Sequence, residues 1–415
     1  MQIYLVGGAV RDKLRHKPIH DKDFVVIGST PEEMENLGYK RVGKHFPVFL
    51  HPETGEEYAL ARKEIKTGAG HKDFQFIFTP DISLEEDSSR RDFTCNALYE
   101  DENGKVIDFH NGREDIKNHI LRHISEHFAE DPLRVLRMCR FAAQLDFTVA
   151  PETMTLCRQM VAGGALENLS KDRIWQELEK ALSTENFYRF IETARECGAL
   201  AVLLPEVEQL FTVPERLDFH PEGNSGAHTL LTLKAANTTD SMVNYAALLH
   251  DIGKIKTDPK CWPSHRGHDK FGADIIKAIG NRLKIPTAYT DFATYTAVNH
   301  MIYHQHIKDC REEMANIAVY LSRFTHKEYL KRFIAVLKAD MCGRARDTLK
   351  EEKDCFEDFA SYLQKLTATA IKMKTSEIKG FENYVAGIKD GSLPPSVLNE
   401  AYVAAILEEN PYPKK

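Results

Sequence analysis

Residues 20–28, His20-Asp21-Lys22-Asp23-Phe24-Val25-Val26-Ile27-Gly28 (HDKDFVVIG), place two carboxylates one residue apart at the mouth of an apolar run. Four apolar residues closed by glycine read as a buried strand. On a strand, positions i and i+2 share a face, so Asp21 and Asp23 would stand roughly 7 Å apart at Cα on one side, with Lys22 on the other. Such a pair can flank a hard cation. Magnesium takes oxygen ligands and leaves further positions to water and phosphate. Taken alone, the same residues fit a solvated turn equally well, and their neighbours have to decide.

Upstream, YLVGGAVRD (4–12) runs from an apolar strand through Gly7-Gly8 into a helix carrying Arg11. Glycines at a strand-to-helix turn let backbone approach a phosphate, and a helix N-terminus favours an anion. The spacing matches neither GxxxxGK[ST] nor GxGxxG, and a simple tight turn would look the same. Downstream, SRRDFTCNAL (89–98) sets Arg90, Arg91 and Asp92 at the expected start of an amphipathic helix, where Arg91 could clamp a triphosphate. AEDPLRVLRMCRFAA (129–143) spaces Asp131, Arg134, Arg137 and Arg140 at steps of three. Each step advances about 300° on a helix, so these side chains wind slowly along one flank. Arginines so placed repel one another unless an anion lies among them, and a carboxylate there can accept from the amino group of a base. In this company the metal reading of Asp21 and Asp23 prevails.

These four motifs resemble, in order and spacing, those of the bacterial CCA-adding enzymes (tRNA nucleotidyltransferases), in the class II branch of the polymerase-beta-like nucleotidyltransferases. They span residues 4–143. The resemblance implies template-independent addition and repair of the 3′-terminal CCA of tRNA from CTP and ATP, with Mg2+ as cofactor and pyrophosphate released. Carried over by position, it implies Asp21 and Asp23 as the catalytic magnesium ligands. It implies Gly8, Arg11, Arg91, Arg137 and Arg140 as nucleotide contacts, and Asp131 with Arg134 as the pair that reads the base edge. Glu130 begins the same motif without a defined role. KEIKTGAGHKDFQ (63–75) resembles the family's mobile loop, although an ordinary hairpin loop fits equally, and Glu64 is a candidate third carboxylate.

Nine of the 18 histidines fall between residues 220 and 326, about a quarter of the chain. His228 lies in an apolar helical run, YAALLHDIGK (245–254) follows with His250-Asp251, and LKADMCGR (337–344) supplies Asp340. An ordered His, His-Asp, Asp set can make a divalent site of mixed nitrogen and oxygen ligands. The set resembles an HD-type metal-dependent phosphohydrolase domain. For CCA enzymes that carry one, the resemblance implies 2′,3′-cyclic phosphodiesterase, 2′-nucleotidase and phosphatase activity with Ni2+ or another divalent transition metal. His265, His268, His300, His304 and His306 are further candidates for substrate contact or for supporting the ligands.

The fold class is accordingly α+β. The apolar runs 3–6, 24–27, 46–50, 57–61 and 74–78 predict a mixed sheet of about five strands in a polymerase-beta-like nucleotidyltransferase domain, and Asp101-Glu102-Asn103-Gly104 predicts a hairpin. From Asp131 the periodicity is helical, over 131–145, 151–162, 170–183, 186–199, 228–250, 268–283, 289–304, 312–322, 326–340 and 350–367. The expected divisions are a catalytic domain at 1–125, a helical base-recognition and tRNA-binding region at 126–220, an HD-type domain at 221–345, and a helical tail at 346–415.

Composition is that of a globular chain, 415 residues with 42% apolar and 28% charged. No apolar run reaches the 18 residues of a membrane span, and the N-terminus lacks a basic signal-peptide region. A net charge of −7 confines any polyanion site to a local patch. The basic stretch 323–350 is one candidate, a solvated helix face the equal alternative. Eight scattered cysteines without a CxxC pair suit a cytoplasmic protein, expected as a monomer or weak homo-oligomer. Competing readings are a CC-only or A-only enzyme, a poly(A) polymerase, and an HD-type phosphohydrolase whose N-terminal half merely binds nucleotide.

Overall fold

The structure, a computed structural model, describes residues 1–19, 21–42, 48–66, 74–77, 79–323 and 328–412. Two units emerge, Met1–Ala181 with Arg189–Val202, and Leu182–Tyr188 with Leu203–Lys415.

The first unit begins with β1 (Gln2–Val6), α1 (Gly8–Leu14), β2 (Asp23–Ile27), α2 (Pro31–Asn36), β3 (Lys40–Val42), β4 (Val48–Leu50) and β5 (Glu57–Leu60). β6 (Lys63–Lys66), β7 (Phe74–Ile77), α3 (Leu84–Ser88), β8 (Leu98–Glu100), β9 (Val106–Asp108), α4 (Gly112–Lys117) and β10 (Ile120–Leu121) follow. Then come α5 (Leu133–Leu145), β11 (Thr148–Val149), α6 (Pro151–Ala162), α7 (Lys171–Leu182), α8 (Phe187–Glu196) and α9 (Ala199–Leu203). The main sheet has seven strands in the order β3-β4-β5-β2-β1-β8-β9. β1 and β2 are antiparallel with Val6 opposite Asp23, while β2 and β5 are parallel.

Alternation along β2 sends Val25 into one core cluster with Val6, Ile82, Leu84 and Tyr99, and Val26 into the other with Met34, Phe49, Tyr58 and Leu60. Both faces are covered, which is why FVVI is continuously apolar. The hairpin expected at 101–104 is the β8–β9 pair, and the expected count of five falls short because that pair and the three-residue β3 also join the main sheet. FQFIF contributes β7, which pairs with β6 in a separate ribbon instead of joining the main sheet. Nor do Arg90, Arg91 and Asp92 open a helix. α3 ends at Ser88, and Arg90-Arg91-Asp92 lie in the turn before a 3-10 turn at Thr94–Asn96.

The second unit is helical: α10 (Pro205–Leu210), α11 (Ser225–Ala236), α12 (Ser241–Leu249), α13 (His268–Leu283), α14 (Thr287–Asn299), α15 (Ile307–Ser322), α16 (Glu328–Cys342), α17 (Lys350–Lys372), α18 (Phe381–Lys389) and α19 (Ser396–Glu409). The stretch expected as one helix at 228–250 is two. Asn237 ends α11 with φ +39°, and Asp240 starts α12 by accepting the Met242 and Val243 N–H groups. α11 packs on α12 and α16, and α13 packs on α14 and on the 3-10 turn Ile252–Lys256. Within the described residues no helix is long and apolar enough to cross a membrane.

At Gly253 the turn after His250-Asp251 meets α13 so closely that a Cβ would lie 1.8 Å from the His268 carbonyl oxygen and 2.5 Å from Gly272 N. Gly253→Ala should therefore cost about 1–3 kcal/mol, read as a lower urea midpoint. An unchanged midpoint would contradict the close approach.

Candidate functional site

Register builds the first site. Asp23 opens β2 directly opposite Val6, the residue before the Gly7-Gly8 turn, so the carboxylate and the start of α1 lie side by side. Gly7 adopts φ +74°, ψ −130°, a conformation open only to glycine. Asp21 sits just before the strand, not within it. Gly8, Arg11, Asp21, Asp23, Arg91, Asp131, Arg134, Arg137 and Arg140 all line one cavity of about 900 Å³.

The surroundings of Asp23 raise its carboxyl pKa, chiefly by burial, against the opposing charge of Arg91 and with the help of Asp21. A carboxylate whose ionised form is disfavoured in this way suits a site completed by a cation.

The arginines are held by protein groups. Arg11 is buried, pairs with Asp12 through Nε (2.9 Å) and donates from Nη1 to Asn96 Oδ1 (2.7 Å). Arg91 donates to Asp87 Oδ2 (3.0 Å) and to the Tyr99 hydroxyl (3.1 Å). Arg137 pairs with Asp92 through both Nε (2.8 Å) and Nη2 (2.5 Å), and Arg140 with Glu177 (2.5 Å) and Gln144 (2.7 Å). Arg134 donates to the carbonyls of His127 (2.7 Å) and Arg90. Asp131 accepts the Leu133 N–H at the start of α5 and the Arg173 guanidinium (2.8 Å). The mutual repulsion expected of this arginine row is thus already offset by Asp92, Glu177 and two carbonyls. Burial works against ionised Asp92, but Arg137 outweighs it and holds the carboxyl below its usual range.

The second site collects His228 from α11, His250 and Asp251 after α12, and Asp340 from α16, all buried. His228 Nε2 lies 3.0 Å from Asp340 Oδ1, and His250 Nε2 lies 3.3 Å from Asp251 Oδ2. His228 Nδ1 faces Glu222 at 3.1 Å, and His250 Nδ1 faces the Ala247 carbonyl at 2.7 Å. Each ring therefore turns Nε2 toward the carboxylates, the arrangement typical of metal-ligating histidine. Burial disfavours the charged His228 ring, yet its bonds to Asp340 and Glu222 push it up to about 9, so a cation held there would have to displace a proton. Lys254 Nζ bridges Asp251 and Glu215 at 2.7 Å each.

Of the further histidines, His268 and His300 reach Asp251, at 3.3 and 3.4 Å. His265 instead hydrogen-bonds Thr257 and the Pro214 carbonyl. His304 packs against the Tyr303 ring at a tilt and is pushed down to about 4 by burial. His306 precedes α15. Glu64 lies in β6 with its side chain outside the described residues, as are 67–73 of the proposed mobile loop and Lys327 of the basic stretch. In that stretch Arg332 pairs with Asp240, Lys338 with Glu357, and Arg344 and Arg346 with Glu352. Asp87, Asp92, Asn96, Arg173 and Glu177 had no assigned role in the sequence reading. Asp92 and Asn96 lie within the SRRDFTCNAL motif, and Glu222 lies in the HPEGN turn six residues before His228.

Residues 3–122 match the poly A polymerase head domain, 146–211 the probable RNA and SrmB-binding site of polymerase A, and 226–331 the HD domain. The multifunctional CCA protein of Mannheimia succiniciproducens is 44% identical over 94% of this chain and 94% of its own length. The chain belongs to the multifunctional CCA protein family. A second member, from Vibrio vulnificus, is 46% identical over 83% of this chain and 86% of its own. Among solved structures, the Bacillus stearothermophilus CCA-adding enzyme in complex with CTP superposes with TM-score 0.60 at 24% identity, covering 98% of this chain and 88% of that one. The Thermotoga maritima CCA-adding enzyme complexed with tRNA gives TM-score 0.62 at 20% identity, covering 100% and 88%. At these identities the structures establish the fold. Head and HD domains together imply divalent metal use.

Asp92→Asn should cost about 2–4 kcal/mol near neutral pH, less than a fully enclosed pair because Arg137 keeps solvent access. The depressed native carboxyl makes this contribution complete above the unfolded value of about 4 and removes it as pH falls through the lower native value. Urea titrations of wild type and variant should differ by a constant amount above about pH 5 and converge in acid. A difference that grows in acid would contradict the pairing.

Proposed function

We propose that this chain adds and repairs the 3′-terminal CCA of tRNA from CTP and ATP, and that its HD region hydrolyses phosphate esters at damaged RNA ends. The observation that carries the first half is the convergence of Asp21, Asp23 and the arginine motifs on one cavity in a member of the multifunctional CCA protein family. Asp21 and Asp23 would hold Mg2+, which when bound supplies Lewis-acid polarisation and charge neutralisation for nucleotidyl transfer. Gly8, at the start of α1, offers backbone to the phosphates. Arg11, Arg91, Arg137 and Arg140 would hold the nucleotide, exchanging part of their present carboxylate contacts for phosphate oxygens. Asp131 and Arg134 present a carboxylate and a guanidinium to the base edge, a protein substitute for a template. CTP, ATP and tRNA are the partners in this reading.

His228, His250, Asp251 and Asp340 would hold Ni2+ or a related ion, since imidazoles suit such ions better than Mg2+. The 2′,3′-cyclic phosphodiesterase, 2′-nucleotidase and phosphatase activities belong to this half. The divisions 1–125, 126–220, 221–345 and 346–415, a cytoplasmic location and a monomeric or weakly oligomeric state complete the proposal. Eight unpaired cysteines accord with that compartment.

Asp23→Ala should lower incorporation of CTP and ATP alike, on the order of 10²–10³-fold or more, while hydrolysis of a 2′,3′-cyclic phosphate persists. Undiminished incorporation would refute the transferase assignment.

A further inference from the structure

Arg344 brings a guanidinium to the second site with little to neutralise it. α16 ends at Cys342, and the chain turns through Gly343, whose N–H donates to the Asp340 carbonyl (3.1 Å). A Cβ on Gly343 would lie 2.5 Å from Thr232 Cα, so only glycine lets this turn rest against α11. Thr232 is one turn beyond His228, and its hydroxyl stands 3.4 Å from His228 Nε2. On the other side of Arg344, the Ala345 N–H donates to Glu222 Oε2 (3.1 Å), the carboxylate whose other oxygen holds His228 Nδ1. The backbone that carries Arg344 is therefore fixed on both sides to the surroundings of His228.

The side chain is 9% exposed, and its Nε is buried with no hydrogen-bond partner. Among the described residues its one ionic partner is Glu352, with Nη1 3.5 Å from Oε1. That carboxylate is committed elsewhere. Arg346 holds both of its oxygens, at 2.7 and 3.0 Å, and Oε2 also accepts the Leu349 N–H at 2.9 Å. Arg346 is the more exposed arginine, at 25%, yet it has the better pair. Desolvation favours the opposite order, because an enclosed cation is costly unless an anion meets it. The Arg344 charge is also felt at the site. Burial raises the Tyr303 hydroxyl and lowers the His304 ring, and the next influences on both are Asp340 and then Arg344. Tyr303 itself donates to Asp340 Oδ2 (3.2 Å). Acid and guanidinium thus flank the same two rings.

We infer that Arg344 contacts the phosphoryl group of the ester cleaved in the HD region and favours terminal phosphomonoesters over 2′,3′-cyclic diesters. This rests on the phosphohydrolase reading and adds to it a residue that sorts substrates. A terminal monoester carries about 1.5–2 negative charges near neutral pH and has three free oxygens. A cyclic diester carries a single charge on two. The guanidinium fork matches paired phosphate oxygens, and a fixed cation in an enclosed site gains more from the more highly charged ester.

The test loads the full chain with Ni2+ and assays adenosine 2′-monophosphate and adenosine 2′,3′-cyclic phosphate, with inorganic phosphate as competitor. Bound nickel and the thermal midpoint are measured for each variant. Arg344→Gln should lower kcat/KM about 10²-fold for the monoester and about tenfold or less for the cyclic ester, through lost charge-assisted bonds. The inhibition constant of phosphate should rise about tenfold, with bound nickel as in wild type. Arg344→Lys keeps the charge without the fork and should fall between, and it decides by the same readouts if the Gln variant does not fold. Phosphate inhibition unchanged in the folded variants would overturn the inference. So would an equal loss on both esters accompanied by loss of nickel, which would make Arg344 a support for Asp340. Wild type that binds nickel but cleaves neither ester would refute the phosphohydrolase reading itself, and this inference with it.

Discussion

Backbone pairing between β1 and β2 governs the first unit. With Val6 opposite Asp23, the last residue of one strand and the first of the other bring a carboxylate beside a glycine turn and the start of a helix. A slip of one residue would turn Asp23 toward the face of Val26, Met34 and Phe49, burying a charge in an apolar cluster. FVVI is apolar on both faces and does not choose between them, so the charge of Asp23 is what penalises the wrong register. Gly7 is the second half of the constraint, because its conformation lets α1 begin at once.

Around that frame the cavity is electrically nearly balanced. Eight arginines against seven carboxylates line it, leaving one positive charge in excess. Arginines lodged against Asp87, Asp92 and Glu177 need not be reorganised from solvent when an anion arrives. Their partners fix direction as well as charge, since a bidentate guanidinium is geometrically defined. In the proposed function, a divalent cation on Asp21 and Asp23 would raise the excess to about three charges, close to the demand of a triphosphate. The second unit solves a different problem with imidazole nitrogens whose opposite edges are tied to carbonyls or Glu222. In the proposed function, oxygen-rich and nitrogen-rich sites in one chain would favour different ions through donor chemistry.

Much of this was legible in the residues. Asp21, Asp23 and the motifs around Arg11, Arg91 and Arg134–Arg140 could be assembled because each is local and ordered along the chain. A strand of three residues such as Lys40–Val42 was not, since pairing and not periodicity defines it, whereas Val106–Asp108 was reached through the turn Asp101–Gly104 that joins it to β8. The break between α11 and α12 was written in Asn237 and Asp240, but an apolar run on both sides masked it. Glu177 was illegible for another reason. It meets Arg140 across 37 positions and from another helix, and nothing in its own sequence neighbourhood marks it. His268 and His300 stood out only as histidines, because their convergence on Asp251 depends on how α13 and α14 pack.

The most direct measurement of the central claim supplies the full-length protein with tRNA lacking its last three nucleotides, gives labelled CTP and ATP singly and together, and sequences the product 3′ ends. The account predicts ends in CC with CTP alone, ends in CCA with both, and no further growth. Ends that stop at CC with both nucleotides, runs of A, or no extension at all would contradict it.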